Sequence, residues 1–251
     1  MRIEELMVQI KRQESPSTRW INRFLRGVLK TSLPAPKSVF MPLFYLHHAS
    51  SNTWDFIKGA LYSQPMFRAR CESCGHGLTL LGDMPHIEGD LRIWVGEHCG
   101  ILGKNTYIAS RVFDNPSLRV GDHSFLGFGV EIVVAKQVRI GNHVLIAGNC
   151  FITDNPGHPT DPIKRRDQPV DKERIQVVTI EDDVWLGSRS IVLPGTHIGH
   201  GSIIGAGAVV SKTIPPYSLV IGNPGQVIRS IYGQDRDSFR DELQLPIVKK
   251  S

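Results

Sequence analysis

Among the side chains able to do acid–base chemistry, His158 is distinguished by its setting, Thr153-Asp154-Asn155-Pro156-Gly157-His158-Pro159-Thr160-Asp161-Pro162. An imidazole takes up and releases a proton near neutral pH, and the Asn, Asp, Gly and Pro around it mark a loop. Asp154 has two readings. It is either a carboxylate that orients or charge-stabilises the imidazole, as in a triad, or a turn residue ahead of Asn155-Pro156. The run Lys164-Arg165-Arg166 likewise reads either as phosphate contacts or as a solvated charge cluster. No G-x-S-x-G elbow is present to form a covalent intermediate. Cys71-Glu72-Ser73-Cys74 with His76 lacks the second pair that a zinc ribbon needs, so its thiols are expected reduced and without metal.

That loop interrupts a repeat, and the repeat must position it. Aliphatic residues recur every six positions at Ile180, Leu186, Val192, Ile198, Ile204 and Val210. An earlier run has Val120, Leu126 and Ile132, then Ile140, Ile146 and Ile152 after a two-residue insertion. Six is neither the helical period nor simple strand alternation. Each hexapeptide is therefore a short strand plus a corner, and three make a coil of about 18 residues whose stacking buries the aliphatic column. Gly121, Gly141, Gly187, Gly199 and Gly205 follow that aliphatic position and are expected to serve tight corner conformations. His98, His123 and His143 share the fourth place of their hexapeptides, so they should stack on successive coils. The break after Ile152 spans a loop over residues 153–177.

Charge is uneven along the chain. Residues 1–70 carry 11 Lys+Arg against 4 Asp+Glu, or +7, and residues 71–251 carry 18 against 20, or −2. The excess sits where Trp20, Ile21, Phe24, Leu25, Val28 and Leu29 fall at helical spacing. This is an amphipathic helix more than a nucleic-acid surface. Such a helix suits an anionic membrane surface, here through residues 1–35, or it caps a core or packs on a neighbouring subunit. The apolar stretch 39–46 is too short to cross a bilayer and is expected to pack against the repeats. The start Met1-Arg2-Ile3-Glu4-Glu5 does not read as a secretory signal, so a cytoplasmic location is expected, peripheral to the inner membrane if the helix binds it.

Three runs carry a family resemblance: Asp183-Val184-Trp185-Leu186-Gly187-Ser188, Ile204-Gly205-Ala206-Gly207-Ala208-Val209-Val210-Ser211-Lys212, and Gly222-Asn223-Pro224. With Gly157-His158-Pro159 they resemble the hexapeptide-repeat acyltransferases, in the maltose and galactoside O-acetyltransferase branch. The look is nearest to exopolysaccharide and O-antigen O-acetyltransferases. The resemblance covers residues 71–231 and implies an all-β fold, a left-handed parallel β-helix, behind a partly helical basic segment over 1–70 and ahead of a tail over 232–251.

It also implies His158 as general base, acetyl-CoA as acyl donor, and a homotrimer with sites shared between subunits. By position it implies CoA contacts at Trp185, Ser188, Ala206, Ser211, Lys212 and Arg229. A sugar hydroxyl is a poor nucleophile, and a neutral imidazole can take its proton and return it to the departing thiolate. Where the galactoside branch has acceptor-holding asparagines, this chain has Gly127-Phe128-Gly129, so a simple sugar acceptor does not carry over. The expected acceptor is a carbohydrate, the hydroxyl of a bacterial polysaccharide or its precursor. The alternatives are an N-acetyltransferase acting on an amino sugar nucleotide, a zinc enzyme like the β-helical carbonic anhydrases built on the histidine column, and a non-catalytic scaffold. No metal and no nucleic acid are expected.

Overall fold

The structure is a computed structural model and describes residues 8, 11, 12, 15–30, 35–168 and 170–232. The expected tail lies outside the described residues beyond Tyr232, as does part of the basic segment over 1–35. The chain divides into two compact units, Met1–Ser51 and Asn52–Ser251.

Helix α1 (Pro16–Lys30) opens on a reciprocal cap. Ser15 Oγ accepts from the Thr18 N–H at 3.2 Å and Thr18 Oγ1 accepts from the Ser15 N–H at 3.0 Å, with Pro16 preset at the first helical position. Trp20 and Phe24 stack on its surface at 5.6 Å. Helix α2 (Lys37–Lys58) holds the apolar stretch 39–46. Its Val39, Phe40, Met41, Leu43, Phe44, Tyr45 and Leu46 are 41–67% exposed. On a helix with Pro42 near its start they spread around the cylinder and do not line one stripe. No helix among the described residues is long and apolar enough to cross a membrane. A π-helical turn (Gly59–Ser63) and α3 (Gln64–Arg70) lead into the second unit's strands.

Those strands wind through three sheets in turn. The first sheet is β1 (Ser73–Cys74), β4 (Arg92–Val95), β7 (Ser117–Val120), β10 (Gln137–Ile140), β13 (Val178–Ile180) and β16 (His197–Ile198). The second is β2 (Thr79–Leu81), β5 (Gly100–Leu102), β8 (Phe125–Leu126), β11 (Leu145–Ile146), β14 (Trp185–Leu186), β17 (Ile203–Ile204), β19 (Ser218–Ile221) and β20 (Gln226–Ser230). The third is β3 (His86–Glu88), β6 (Thr106–Ala109), β9 (Glu131–Val134), β12 (Phe151–Thr153), β15 (Ile191–Val192) and β18 (Val209–Val210). Every pairing is parallel except β19 with β20. This is the left-handed parallel β-helix that the family resemblance implies, with six complete coils and part of a seventh.

The inward column is continuous. Val120, Leu126, Ile132, Ile140, Ile146, Ile152, Ile180, Leu186, Val192, Ile198, Ile204 and Val210 are all buried. The glycines after them have a different reason from the one expected. Gly121 and Gly187 are not among the residues of positive φ. A Cβ at Gly121 would stand 2.6 Å from the Gly141 backbone, and one at Gly187 2.6 Å from the Ala206 nitrogen. Close approach of successive coils demands them. The left-handed corner position lies two residues further on and is taken by His98, His123, His143 and Asp183, with φ of 52–57°.

Candidate functional site

The chain leaves the wall after β12 and rejoins it at β13, and the neck of this loop is closed by the Gln176 N–H donating to the Asp154 carbonyl at 3.1 Å. The Asp154 side chain is fully buried. Its Oδ1 accepts from the Ala135 N–H at 2.6 Å, and its Oδ2 from Lys136 at 2.7 Å and Gln137 at 2.6 Å. Burial pushes its pKa above the ordinary aspartate range, against the pull of those three donors. The carboxylate holds the corner that enters β10. No hydrogen bond joins it to His158 among the described residues.

Asn155 had no role in the sequence reading, yet it sets the backbone next to His158. It is buried. Its Nδ2 donates to Ser110 Oγ at 3.0 Å, and its Oδ1 accepts from the Gly157 N–H at 2.8 Å. Gly157 has φ of 87°, which a side chain there would strain. The Asn two positions before a Gly was the available signal for such an Asx turn.

Downstream, Arg165 Nε donates to the Pro159 carbonyl at 3.0 Å and its Nη2 to the Thr160 carbonyl at 2.7 Å. Arg174 Nη1 reaches Thr160 Oγ1 at 2.7 Å. Of the basic run, Arg165 thus serves the loop itself, and Lys164 and Arg166 are exposed. The Lys164 and Ile163 N–H groups hold the Asp161 carboxyl below the usual range. Ala135, Val170 and Ile175 form a small apolar cluster with Val112 and Phe113. The result is an exposed imidazole, His158, on a backbone pinned on both sides.

The expected CoA contacts fall on two edges of the prism. Trp185 is on the second sheet, and Ser188 and Ala206 are at the corner that follows it. There the Gly207 N–H donates to the Ser188 carbonyl at 2.9 Å, and a Cβ at Gly207 would meet nothing within 4 Å. The edge is open to an extended ligand arm. Ser211 and Lys212 follow the third sheet, at the edge from which the His158 loop also springs, two coils earlier. Lys212 Nζ donates to Gln226 Oε1 at 3.3 Å, and Gln226 opens the strand that carries Arg229. One chain therefore places Trp185 and Arg229 on the second sheet, Ser188 and Ala206 at the corner after it, and Ser211 and Lys212 after the third sheet.

The rings of His98, His123 and His143 stack face to face, with centroids 5.2 and 4.9 Å apart and planes 12° and 2° from parallel. Among the described residues no group of three or more His, Cys, Asp or Glu converges as metal ligands do. Burial pushes the Cys71 thiol up to about 12 and raises Cys74 as well, so neither is a ready thiolate.

Comparison with known proteins agrees with this architecture. Residues 178–212 match the family model for bacterial transferase hexapeptide (six repeats), and residues 117–154 match the hexapeptide repeat of succinyl-transferase. The galactoside O-acetyltransferase of Lactococcus lactis is 35% identical over 142 residues, covering 55% of this chain and 66% of that protein. That of Escherichia coli is 33% identical over 147 residues, covering 58% and 70%. The chain thus spans about two thirds of the length of these relatives. Among solved structures, AntD, an N-acyltransferase from Bacillus cereus, superposes with a TM-score of 0.53 at 16% identity, over 73% of this chain and 95% of that one. This likeness bears on the fold alone. The fold and the repeats define a hexapeptide-repeat transferase. The chain belongs to the hexapeptide-repeat acetyltransferases, in the branch of the galactoside and maltose O-acetyltransferases.

Proposed function

We propose that the protein transfers the acetyl group of acetyl-CoA to a hydroxyl of a bacterial polysaccharide or its precursor, with His158 as general base. The observation that carries this reading is the presentation of His158: an exposed imidazole on a loop locked by Asn155, Arg165 and Arg174. The imidazole takes the hydroxyl proton as the oxygen attacks the thioester carbonyl. The carbon–sulfur bond breaks, and the same proton passes to the departing thiolate. Asp154 and Asn155 act as positioning residues for that base.

Trp185, Ser188 and Ala206 border the CoA arm, with the small residues letting it approach the backbone. Ser211, Lys212 and Arg229 lie where they can meet its phosphates with charge-assisted bonds. Because these groups occupy two edges of one prism, the complete groove is read as lying between copies, in a homotrimer. The outward row of the second sheet supports this. Phe125, Leu145, Trp185, Ile203 and Leu219 stand in register, and Leu145 and Trp185 are half exposed. A contiguous apolar row of this kind marks an association surface. The proposed location is cytoplasmic, with Trp20, Phe24 and the arginines of α1 meeting an anionic inner membrane surface.

The test is incubation with acetyl-CoA and a panel of bacterial glycans, followed by mild alkali. Ester acetyl groups are released by base, and this is the expected result. Base-stable acetyl on amino sugars would replace the O-transfer reading with N-transfer, and no transfer with no CoA binding would leave a scaffold.

A further inference from the structure

The face of the β-helix made by the first sheet differs in character from the apolar second. Its outward row reads, in register, Ser73, Trp94, Arg119, Arg139, Thr179 and His197. A groove of about 550 Å³ runs along it. The Arg119 guanidinium lies over the Trp94 ring at 4.1 Å, and Arg92, which is ion-paired to Glu72 at 3.1 Å, lies over the same ring at 4.9 Å. Arg139 stands directly beside Arg119 on the neighbouring strand. Like charges opposite one another on paired strands are unfavourable.

Neither arginine has a carboxylate partner among the described residues, although acids line the same groove. Glu181 is occupied by His197 Nε2 at 2.7 Å and by the His200 N–H at 2.7 Å. Asp182 accepts from the Asn142 N–H at 2.7 Å and from its side chain, and Asp122 accepts from the Glu97 N–H at 2.7 Å. The acids stitch coils together, and the two guanidinium groups are left over.

We infer that this groove docks an acidic polysaccharide, with Arg119 and Arg139 receiving its carboxylates, so that the acceptor of the proposed transfer is a carboxylated glycan. A guanidinium stacked on indole has one face covered and presents its in-plane donors, the edge that matches a carboxylate in a bidentate pair. Strands about 4.8 Å apart set the two arginines at a spacing that a stiff chain of sugars can meet in succession. Nucleic acid fits poorly. Trp94 is already covered by guanidinium and offers no free platform for a base, and residues 71–251 carry 18 basic against 20 acidic residues, so no broad positive field surrounds the pair. The groove lies on the sheet that the His158 loop rejoins. Asp154 holds the Lys136 and Gln137 N–H groups at the start of the strand bearing Arg139, and the loop rejoins the wall at the strand bearing Thr179.

This inference rests on the acyl-transfer reading for its biological sense, but the binding it describes does not need turnover. The experiment is calorimetric titration of the full-length protein, without acetyl-CoA, using oligomers of polygalacturonate, alginate and hyaluronate, with methyl-esterified polygalacturonate and dextran of matched length beside them. At least one acid form should bind at least tenfold tighter than the neutral polymers and weaken with added salt. Arg119→Gln and Arg139→Gln should each lower that affinity at least fivefold at unchanged melting temperature. Equal binding of ester and acid, failure of all three acid forms, wild-type affinity in the double variant, or tighter binding of a single-stranded oligonucleotide would each overturn the inference. A protein that binds the acid form through these arginines yet transfers no acetyl group would refute the transfer reading and leave the groove standing.

Discussion

At the residue scale, the candidate base depends on side chains that do no chemistry themselves. His158 was legible because Gly157-His158-Pro159 breaks a regular repeat, and Asp154 was legible as a charged neighbour. The partners of Asp154 were not, because the amides of Ala135, Lys136 and Gln137 are brought in by the coil from the previous turn. Asp154→Ala leaves those three buried or half-buried donors without an acceptor. A cost of about 2 kcal/mol is expected for such a loss, seen as a melting temperature lower by roughly 4–8 °C for a chain of this size.

Asn155 was passed over because a buried asparagine and a turn asparagine look alike in sequence. Asn155→Ala should free the Gly157 amide and the Ser110 hydroxyl. We expect kcat to fall by about tenfold or more, in keeping with the cost of small misplacements, while the KM for acetyl-CoA stays within twofold. Steady-state kinetics at varied donor concentration check both numbers.

At the element scale, the repeat was legible where its period is unbroken, from Ile180 to Val210, because the inward column has no tolerance for polar or missing side chains. The first coil was less so. In the first coil the buried positions are supplied by Leu80 of β2 and by Leu78 just before it, with Phe67 of α3 also in the core cluster, and the six-residue count is irregular. The glycine requirement was seen, but its cause, contact between coils, needs the stacking geometry that no single hexapeptide displays.

Corner stitching is a further device of this scale. Glu181 ties the end of β13 to His197 and to the amide of His200, and these partners hold it below the ordinary glutamate value of 4.5. Its folded pKa lies beneath its unfolded one, so the stabilisation is present above about pH 4.5 and is lost as pH falls through the lowered folded value. For so exposed a pair the effect stays under about 1 kcal/mol. Glu181→Gln should therefore lower the melting temperature by only a few degrees at pH 7, and the difference from wild type should close in acid. Thermal denaturation across pH 3–7 measures it.

At the scale of the whole molecule, the three faces of the prism differ in chemistry although they share one repeat. The inward positions obey the period, whereas the outward ones are free to diverge. The second face became a row of Phe125, Leu145, Trp185, Ile203 and Leu219, and the first a row holding Trp94, Arg119 and Arg139. The sequence shows these neighbours 16 to 40 positions apart, and only the coil register brings them together. Association through the second face predicts that Leu145→Glu, which places a charge in the middle of the apolar row, lowers the oligomer to monomer in sedimentation velocity while the circular dichroism spectrum stays that of a β-helix. A variant that sediments as wild type would remove this face from the interface.

The most direct test of the central claim is acceptor-dependent release of CoA from acetyl-CoA, comparing wild type with His158→Ala at equal CoA occupancy. The account predicts a fall of at least about 100-fold, or about 2.7 kcal/mol of transition-state stabilisation, with CoA affinity unchanged. Release at the wild-type rate in the variant would contradict it.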